Sequence, residues 1–185
     1  MTIFEKKKVE RDMFRKLRAE TTLEQRVNVE NNVKQYVDSF VREHKIVVYV
    51  AIYMPLKNEV DLRSLKGKIS LALPRCKGKK ELLFYPWDEK HLTKDSEGIL
   101  SPNNSFPLSH LQISMILVPC LSVDKNLTRL GYGGGYFDKL RRDENWRNVP
   151  CVGVLTSNCV SQIPLTRAEW DIPLSGYITE KEIFV

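Results

Sequence analysis

The sequence is short of the groups that most often carry zinc, disulfide or acyl-transfer chemistry: its 185 residues include four cysteines and three histidines. Cys76, Cys120, Cys151 and Cys159 form no C-x-x-C pair, and no histidine stands at finger spacing from them. Neither a structural zinc nor a secreted disulfide framework follows, and reduced thiols are expected. Cys120, directly after an apolar strand, reads as a small buried hydrophobe rather than a reactive thiol. His44, His91 and His110 have no serine or cysteine nucleophile pattern beside them, so a histidine-based acyl transfer is set aside. Long apolar runs are missing as well. The longest, Ile46 to Met54, falls well short of the ~18 to 20 residues of a membrane-spanning helix. Met1 to Arg18 is basic but lacks the apolar stretch of a signal peptide, and Glu5, Glu10 and Asp12 do not suit a transit peptide. A mature cytoplasmic chain without membrane attachment is expected.

What is present is the composition of a globular chain, 42% hydrophobic and 28% charged, at a length that fits one domain over residues 1–185. The net charge of +6 favours anionic partners, phosphates or nucleic acid, without choosing between them.

Periodicity orders the elements. Glu5 to Glu20 plots as an amphipathic helix, with Lys7, Arg11, Arg15 and Arg18 on one stripe and Val9, Met13 and Leu17 opposite. Thr21 with Glu24 three residues on predicts a capping box. The second helix then runs to about Glu43, with Leu23, Val27, Val33, Val37 and Val41 on its apolar face. Ile46 to Met54 reads as a strand buried on both faces, as in a parallel sheet, and Pro55 ends it. A short helical stretch at Leu62 to Leu65, then strands at Ile69 to Leu73 and Glu81 to Tyr85, follow. Pro86 to His110, rich in Asp, Ser, Asn and Pro, reads as an irregular connection without chemistry. Met115 to Val118 and Val149 to Leu155 are further strands, joined through a glycine-rich loop and a helix. The expected fold is therefore α/β: a single three-layer domain, its mostly parallel sheet flanked by helices on both faces.

Four of the nine glycines fall within Gly131–Gly135, between Arg129 and Asp138, and a helix to about Arg142 follows. A strand, a loop without β-carbons and a helix N-terminus let backbone N–H groups approach an anion, phosphate above all. The loop is neither a Walker A loop nor a dinucleotide fingerprint, because the glycine spacing and the following residues match neither; a tight structural turn is the plain alternative. Asp138 could hold Mg2+ against phosphate oxygens or simply sit favourably at the helix start. The stripe of Lys7, Arg11, Arg15 and Arg18 could neutralise a polyphosphate or form a solvated face. Glu59 and Asp61 follow the first strand at its carboxyl end, where open α/β sheets place ligands.

Leu117 to Asp124, followed three residues later by Thr128-Arg129-Leu130-Gly131-Tyr132-Gly133-Gly134-Gly135-Tyr136-Phe137-Asp138, resembles the signature of the 5-formyltetrahydrofolate cyclo-ligase family. Lys7-x-x-x-Arg11, Asn58-Glu59-Val60-Asp61, Leu73-Pro74-Arg75 and Glu169-Trp170-Asp171 agree in order with that family, and only Pro86 to His110 matches loosely. The resemblance implies ATP- and Mg2+-dependent conversion of 5-formyltetrahydrofolate, with or without a polyglutamate tail, to 5,10-methenyltetrahydrofolate by a monomer, with release of ADP and phosphate.

By the same resemblance, Lys7 and Arg11 would contact ATP phosphate, and Arg129, Leu130, Gly131, Tyr132, Gly133, Gly134, Gly135, Tyr136 and Phe137 would form the nucleotide loop. Arg129 and Tyr136 would be catalytic, Met54, Glu59 and Tyr132 to Tyr136 would meet the folate, and Asp138 and Asp171 would ligate Mg2+. Phe137, Trp170 and Asn126 depart from the family's usual tyrosine, histidine and glycine. Two other classes compete: a nucleic-acid-binding protein using the basic first helix and the tyrosines, and a sugar-phosphate-binding enzyme or sensor. Against the first, no RNA-binding motif is present and acids interrupt the basic helix. No nucleic-acid partner is expected.

Overall fold

The computed structural model describes residues 1–44, 46–88, 91–103 and 106–185. Two helices lead. α1 (Ile3–Ala19) starts at a capping box in which Thr2 Oγ1 accepts the Glu5 N–H and the Glu5 carboxylate accepts the Thr2 N–H at 2.7 Å. Phe14 is the residue it buries, Val9 and Met13 are 60% and 47% exposed, and Lys7, Arg11 and Arg18 turn inward. The reason is that acceptors on the body of the protein take those cations, while Phe14 and the partly buried Leu17 supply the helix's apolar anchor.

α2 (Leu23–Glu43) begins one residue later than expected: Thr22 is the cap and Gln25 its reciprocal partner. Thr21 is buried, its hydroxyl 3.2 Å from that of Thr156. Val29, Val33 and Val37, four apart, form the buried face, whereas Leu23 and Val27 are exposed.

The remaining elements are β1 (Tyr49–Ala51), β2 (Leu71–Lys77), β3 (Glu81–Pro86), β4 (Leu92–Lys94), β5 (Leu100–Pro102), β6 (Ile113–Pro119), β7 (Ser122–Asp124), β8 (Arg129–Leu130), α3 (Tyr136–Leu140), α4 (Glu144–Arg147), β9 (Cys151–Val154), β10 (Val160–Ser161), β11 (Gly176–Ile178) and β12 (Ile183–Phe184). A seven-stranded sheet runs β12-β11-β9-β6-β1-β2-β3, parallel from β11 through β2 and antiparallel at both edges. β1 is shorter than the apolar run suggested, because the sequence enters the sheet only at Tyr49 and Ile46 stays 80% exposed.

Alternation divides the core in two. Ala51, Ala72, Ile116, Val118 and Cys151 face Phe14 of α1 and the α3–α4 region. Val50, Leu71, Met115, Leu117 and Val152 face the α2 valines. Helices thus cover both faces of the sheet, the three-layer α/β arrangement.

β1 and β6 are neighbours, but the chain leaves β1 toward β2 on one side and leaves β6 toward β9 on the other. Their carboxyl ends therefore open a crevice at a topological switch point.

The stretch Pro86 to His110 is not the irregular connection expected, although Glu89, Lys90, Asn104 and Ser105 lie outside the described residues. It holds the β4–β5 hairpin. Its turn forms because one carboxylate, that of Asp95, accepts the N–H groups of Cys76, Glu97 and Ile99 at 2.9, 2.9 and 3.0 Å. Arg75 Nη1 clasps the hairpin through Ser101 Oγ at 2.9 Å and Thr93 Oγ1 at 3.0 Å.

A small sheet, β10-β7-β8, aims the glycine loop. Its pivot is buried Asp124, whose oxygens accept the Asn126, Thr128 and Leu165 N–H groups at 2.8–2.9 Å. Among the described residues no helix is long and apolar enough to cross a membrane.

Candidate active site

A cleft of about 410 Å3 lies at the switch point, within the ~300–1,000 Å3 usual for ligand sites. Lys7, Arg11, Met54, Glu59, every residue from Arg129 to Phe137, and Asp138 line it. Asp171 does not. The sequence-expected residues are thus brought together from four places: α1, the turn after β1, the glycine loop and the start of α3.

The glycine loop takes its path from backbone freedom. Gly133 and Gly135 have φ of +103° and +74°, a region costly to residues with a β-carbon. The helix after it is shorter than expected, ending at Leu140, so a long helix dipole contributes little here. Positive charge comes from side chains instead. Arg11 Nε donates to the Gly131 carbonyl at 2.9 Å, and its guanidinium lies against Gly133. Arg129 Nη1 donates to the Pro119 carbonyl at the end of β6 at 3.0 Å, leaving Nη2 3.6 Å from Asp138. The Phe137 ring lies 5.2 Å from the Arg129 guanidinium carbon, so this position serves through its aromatic face and the missing tyrosine hydroxyl leaves that contact intact.

The opposite wall is acidic and buried. Glu59, its side chain 4% exposed, accepts the Leu56 N–H at 2.7 Å on one oxygen and the Tyr132 hydroxyl on the other. Burial pushes its pKa above the ordinary glutamate value, with the Leu56 N–H and the nearby Arg18 guanidinium pulling back. At the far end of the glycine loop the Tyr136 hydroxyl donates to Glu97, at the turn of the β4–β5 hairpin. Asp95 and Glu97 both line the cleft. Composition concealed them, since the hairpin's polar sequence has the texture of a loop; its signal was the turn sequence Asp95-Ser96-Glu97-Gly98 between two short β-capable runs.

The structure carries no ligand, so the fit of Mg2+ rests on the donors. The Asp138 side chain is 38% exposed on the cleft wall, and its contact with Arg129 is too long for a hydrogen bond. Its oxygens remain available to a hard cation. Asp171 is buried outside the lining, and its Oδ2 accepts both the Lys7 ammonium and the Ala168 N–H. Among the described residues no three or more His, Cys, Asp or Glu side chains converge into a metal site. That donor set fits Mg2+, which commonly binds through one or two carboxylates plus phosphate oxygens and water, and does not fit a cage-bound metal. Cys120 and Cys76 are thiols pushed up to about 12 by burial, so neither is a nucleophile at neutral pH.

The sequence profile of the 5-formyltetrahydrofolate cyclo-ligase family matches residues 3–180. Among curated relatives, the 5-formyltetrahydrofolate cyclo-ligase of Haemophilus influenzae is 28% identical over 89% of this chain and 92% of its own length. That of Mycoplasma pneumoniae is 23% identical over 96% and 99%. Among solved structures, the 5,10-methenyltetrahydrofolate synthetase of Aquifex aeolicus superposes with a TM-score of 0.77 at 30% identity, covering 96% of this chain and 91% of that one. A parallel α/β sheet with a basic glycine-loop cleft at its switch point defines a phosphate-handling enzyme. More particularly, the chain belongs to the 5-formyltetrahydrofolate cyclo-ligase family and is an enzyme of that kind.

Proposed function

We propose that the chain converts 5-formyltetrahydrofolate to 5,10-methenyltetrahydrofolate with ATP, by phosphorylating the formyl oxygen and closing the ring through N10. A formamide oxygen is a poor leaving group. Transfer of the γ-phosphoryl group to it forms an oxygen–phosphorus bond as the bond to ADP breaks; N10 then adds to the activated carbon, loses its proton, and inorganic phosphate departs. No protein nucleophile enters, and the protein's work is positioning and charge stabilisation.

The single observation that carries this reading is the convergence of Lys7, Arg11 and Arg129 on the glycine loop, opposite a buried carboxylate at Glu59, within one cleft. Arg129, held by the Pro119 carbonyl, would meet charge developing on the transferred phosphoryl group. Tyr136 borders the same loop and would orient the reacting formyl group. Met54, Tyr132 and Glu59 would hold the folate, Glu59 by accepting N–H donors. Mg2+ would be held by Asp138, and by Asp171 where Lys7 exchanges that carboxylate for phosphate; when bound it supplies charge neutralisation at the phosphate oxygens.

The chain is proposed to act as a monomer, one domain over residues 1–185. The inward turn of Lys7, Arg11 and Arg18 favours this reading over a nucleic-acid stripe. The test is turnover with both substrates: Arg129→Ala and Asp138→Asn should each nearly abolish ATP-dependent product formation while remaining folded, and full activity in both would refute the assigned roles.

A further inference from the structure

Arg18 belongs to the basic stripe of α1, yet the family signature gives it no role. Its side chain is 15% exposed and ends 3.6 Å from Glu59 Oε1, with the guanidinium carbon 4.8 Å from the centre of the Tyr132 ring. Tyr132 in turn donates its hydroxyl to that same Glu59 oxygen. The three side chains form a closed triangle joining the first helix, the turn after β1 and the glycine loop.

Arg141, another buried arginine, donates Nη1 to the carbonyls of Ile172 and Pro173 at 3.0 and 2.7 Å and leaves only its Nε buried without a partner. Among the described residues Arg18 Nε and Nη1 are both buried with no hydrogen-bond partner. A guanidinium with two buried nitrogens left unbonded is a poor stabiliser of the fold. Its visible effect is electrostatic, on a carboxylate even more buried than itself.

We infer that Arg18 is a positioning residue for the folate half of the reaction: it keeps the Glu59 carboxylate ionised and holds Tyr132 against it, so that Glu59 presents a charged acceptor to substrate N–H donors. This rests on the reading that Glu59 meets the substrate. The balance of charge supports it: burial raises Glu59 and lowers Arg18, and each shift is opposed by the other partner. The other groups in this electrostatic neighbourhood are Arg15 on the same helix, Tyr53 and Asp61 on either side of Glu59 in the chain, Cys120 after β6, Cys159 just before β10, and Tyr132 itself. Arg18 is the one cation among them that touches both Glu59 and Tyr132.

The experiment follows the Glu59 side-chain carboxyl resonance through a pH titration of 13C-glutamate-labelled full-length protein, alongside separate KM values for folate and ATP. In Arg18→Met the Glu59 titration should move up by about one pH unit or more, as expected when a close opposite charge is lost. The KM for 5-formyltetrahydrofolate should rise, most steeply as the pH falls toward the displaced Glu59 titration, with the KM for ATP unchanged. Arg18→Lys, which keeps the charge, should leave the Glu59 titration near wild type, and it stands as the test if Arg18→Met does not fold. An unmoved Glu59 titration and folate KM in Arg18→Met, or a Glu59 titration in Arg18→Lys displaced as far as loss of the charge requires, overturns the inference. Glu59→Gln separates the premise from the inference: if it leaves the folate KM unmoved, the substrate role of Glu59 fails first.

Discussion

The Lys7 ammonium is bonded to the Asp171 carboxylate, which also accepts the Ala168 N–H at 2.7 Å. In the family signature these two residues serve different ligands, phosphate and metal, whereas here each is the other's partner. Lys7 also lines the cleft and Asp171 does not, so the pair ties α1 to the segment before β11. Lys7→Met leaves the buried Asp171 carboxylate without its counter-charge, and Asp171→Leu does the same to the Lys7 ammonium. Each should cost about 3–5 kcal/mol of unfolding free energy, measured by urea denaturation. The double variant Lys7→Met/Asp171→Leu should cost less than the sum of the singles, and additivity would show that the pair is not coupled.

Arg129 and Asp138 can be separated kinetically. Arg129 is held by the Pro119 carbonyl and aimed at the loop, so its loss should remove stabilisation made mainly in the transition state. Arg129→Ala is expected to lower kcat by ~100-fold or more, as for loss of one preorganised charge-stabilising donor. Asp138→Asn should also nearly abolish turnover at ordinary Mg2+, but part of its rate should return as Mg2+ is raised, which Arg129→Ala should not show. Circular dichroism and thermal melts check that both remain folded.

Glu59 sets an expected acid limb. Its folded pKa lies above the usual glutamate value, chiefly through burial, so it takes up a proton at a higher pH than an exposed glutamate would. Because the charged form is the acceptor, kcat/KM for the folate should fall as pH drops through that raised value. In Glu59→Gln this limb should vanish and kcat/KM should be low throughout. A wild-type profile that stays flat down to the ordinary glutamate pKa would contradict the assignment.

Gly135 and Gly67 make a matched pair. Both have positive φ, +74° and +85°, and an alanine β-carbon at Gly67 would meet nothing within 4 Å. Each Gly→Ala change should destabilise by ~1–2 kcal/mol through backbone strain alone. Gly135→Ala should also cut turnover, since it redirects the loop that Lys80 and Tyr136 flank, whereas Gly67→Ala should leave kcat and both KM values near wild type. Melting temperatures and steady-state rates on the two variants give the comparison.

The fold class and the glycine loop were legible because they depend on local signals: β-branched runs and four clustered glycines. Which face of α1 points inward was not. Val9 and Met13 look like a core stripe, yet the helix is held by Phe14 and by distant acceptors at Gly131, Glu59 and Asp171 that no local pattern reveals. The cap of α2 falls at Thr22 and not at Thr21, whose hydroxyl is drawn inward to that of Thr156, a tertiary contact no local pattern shows. Glu97 escaped notice because a polar hairpin reads as a loop until Arg75 and Asp95 pin it to β2. The Lys7–Asp171 pair, 164 residues apart, lay beyond any sequence window.

The central claim is ATP-driven ring closure, and the most direct test mixes purified protein with 5-formyltetrahydrofolate, ATP and Mg2+ near neutral pH while recording near-ultraviolet absorbance. Formation of the conjugated methenyl product should raise that absorbance only when ATP is present. Folded protein that binds ATP yet yields no such rise would contradict the claim and point to a different phosphate acceptor in the same cleft.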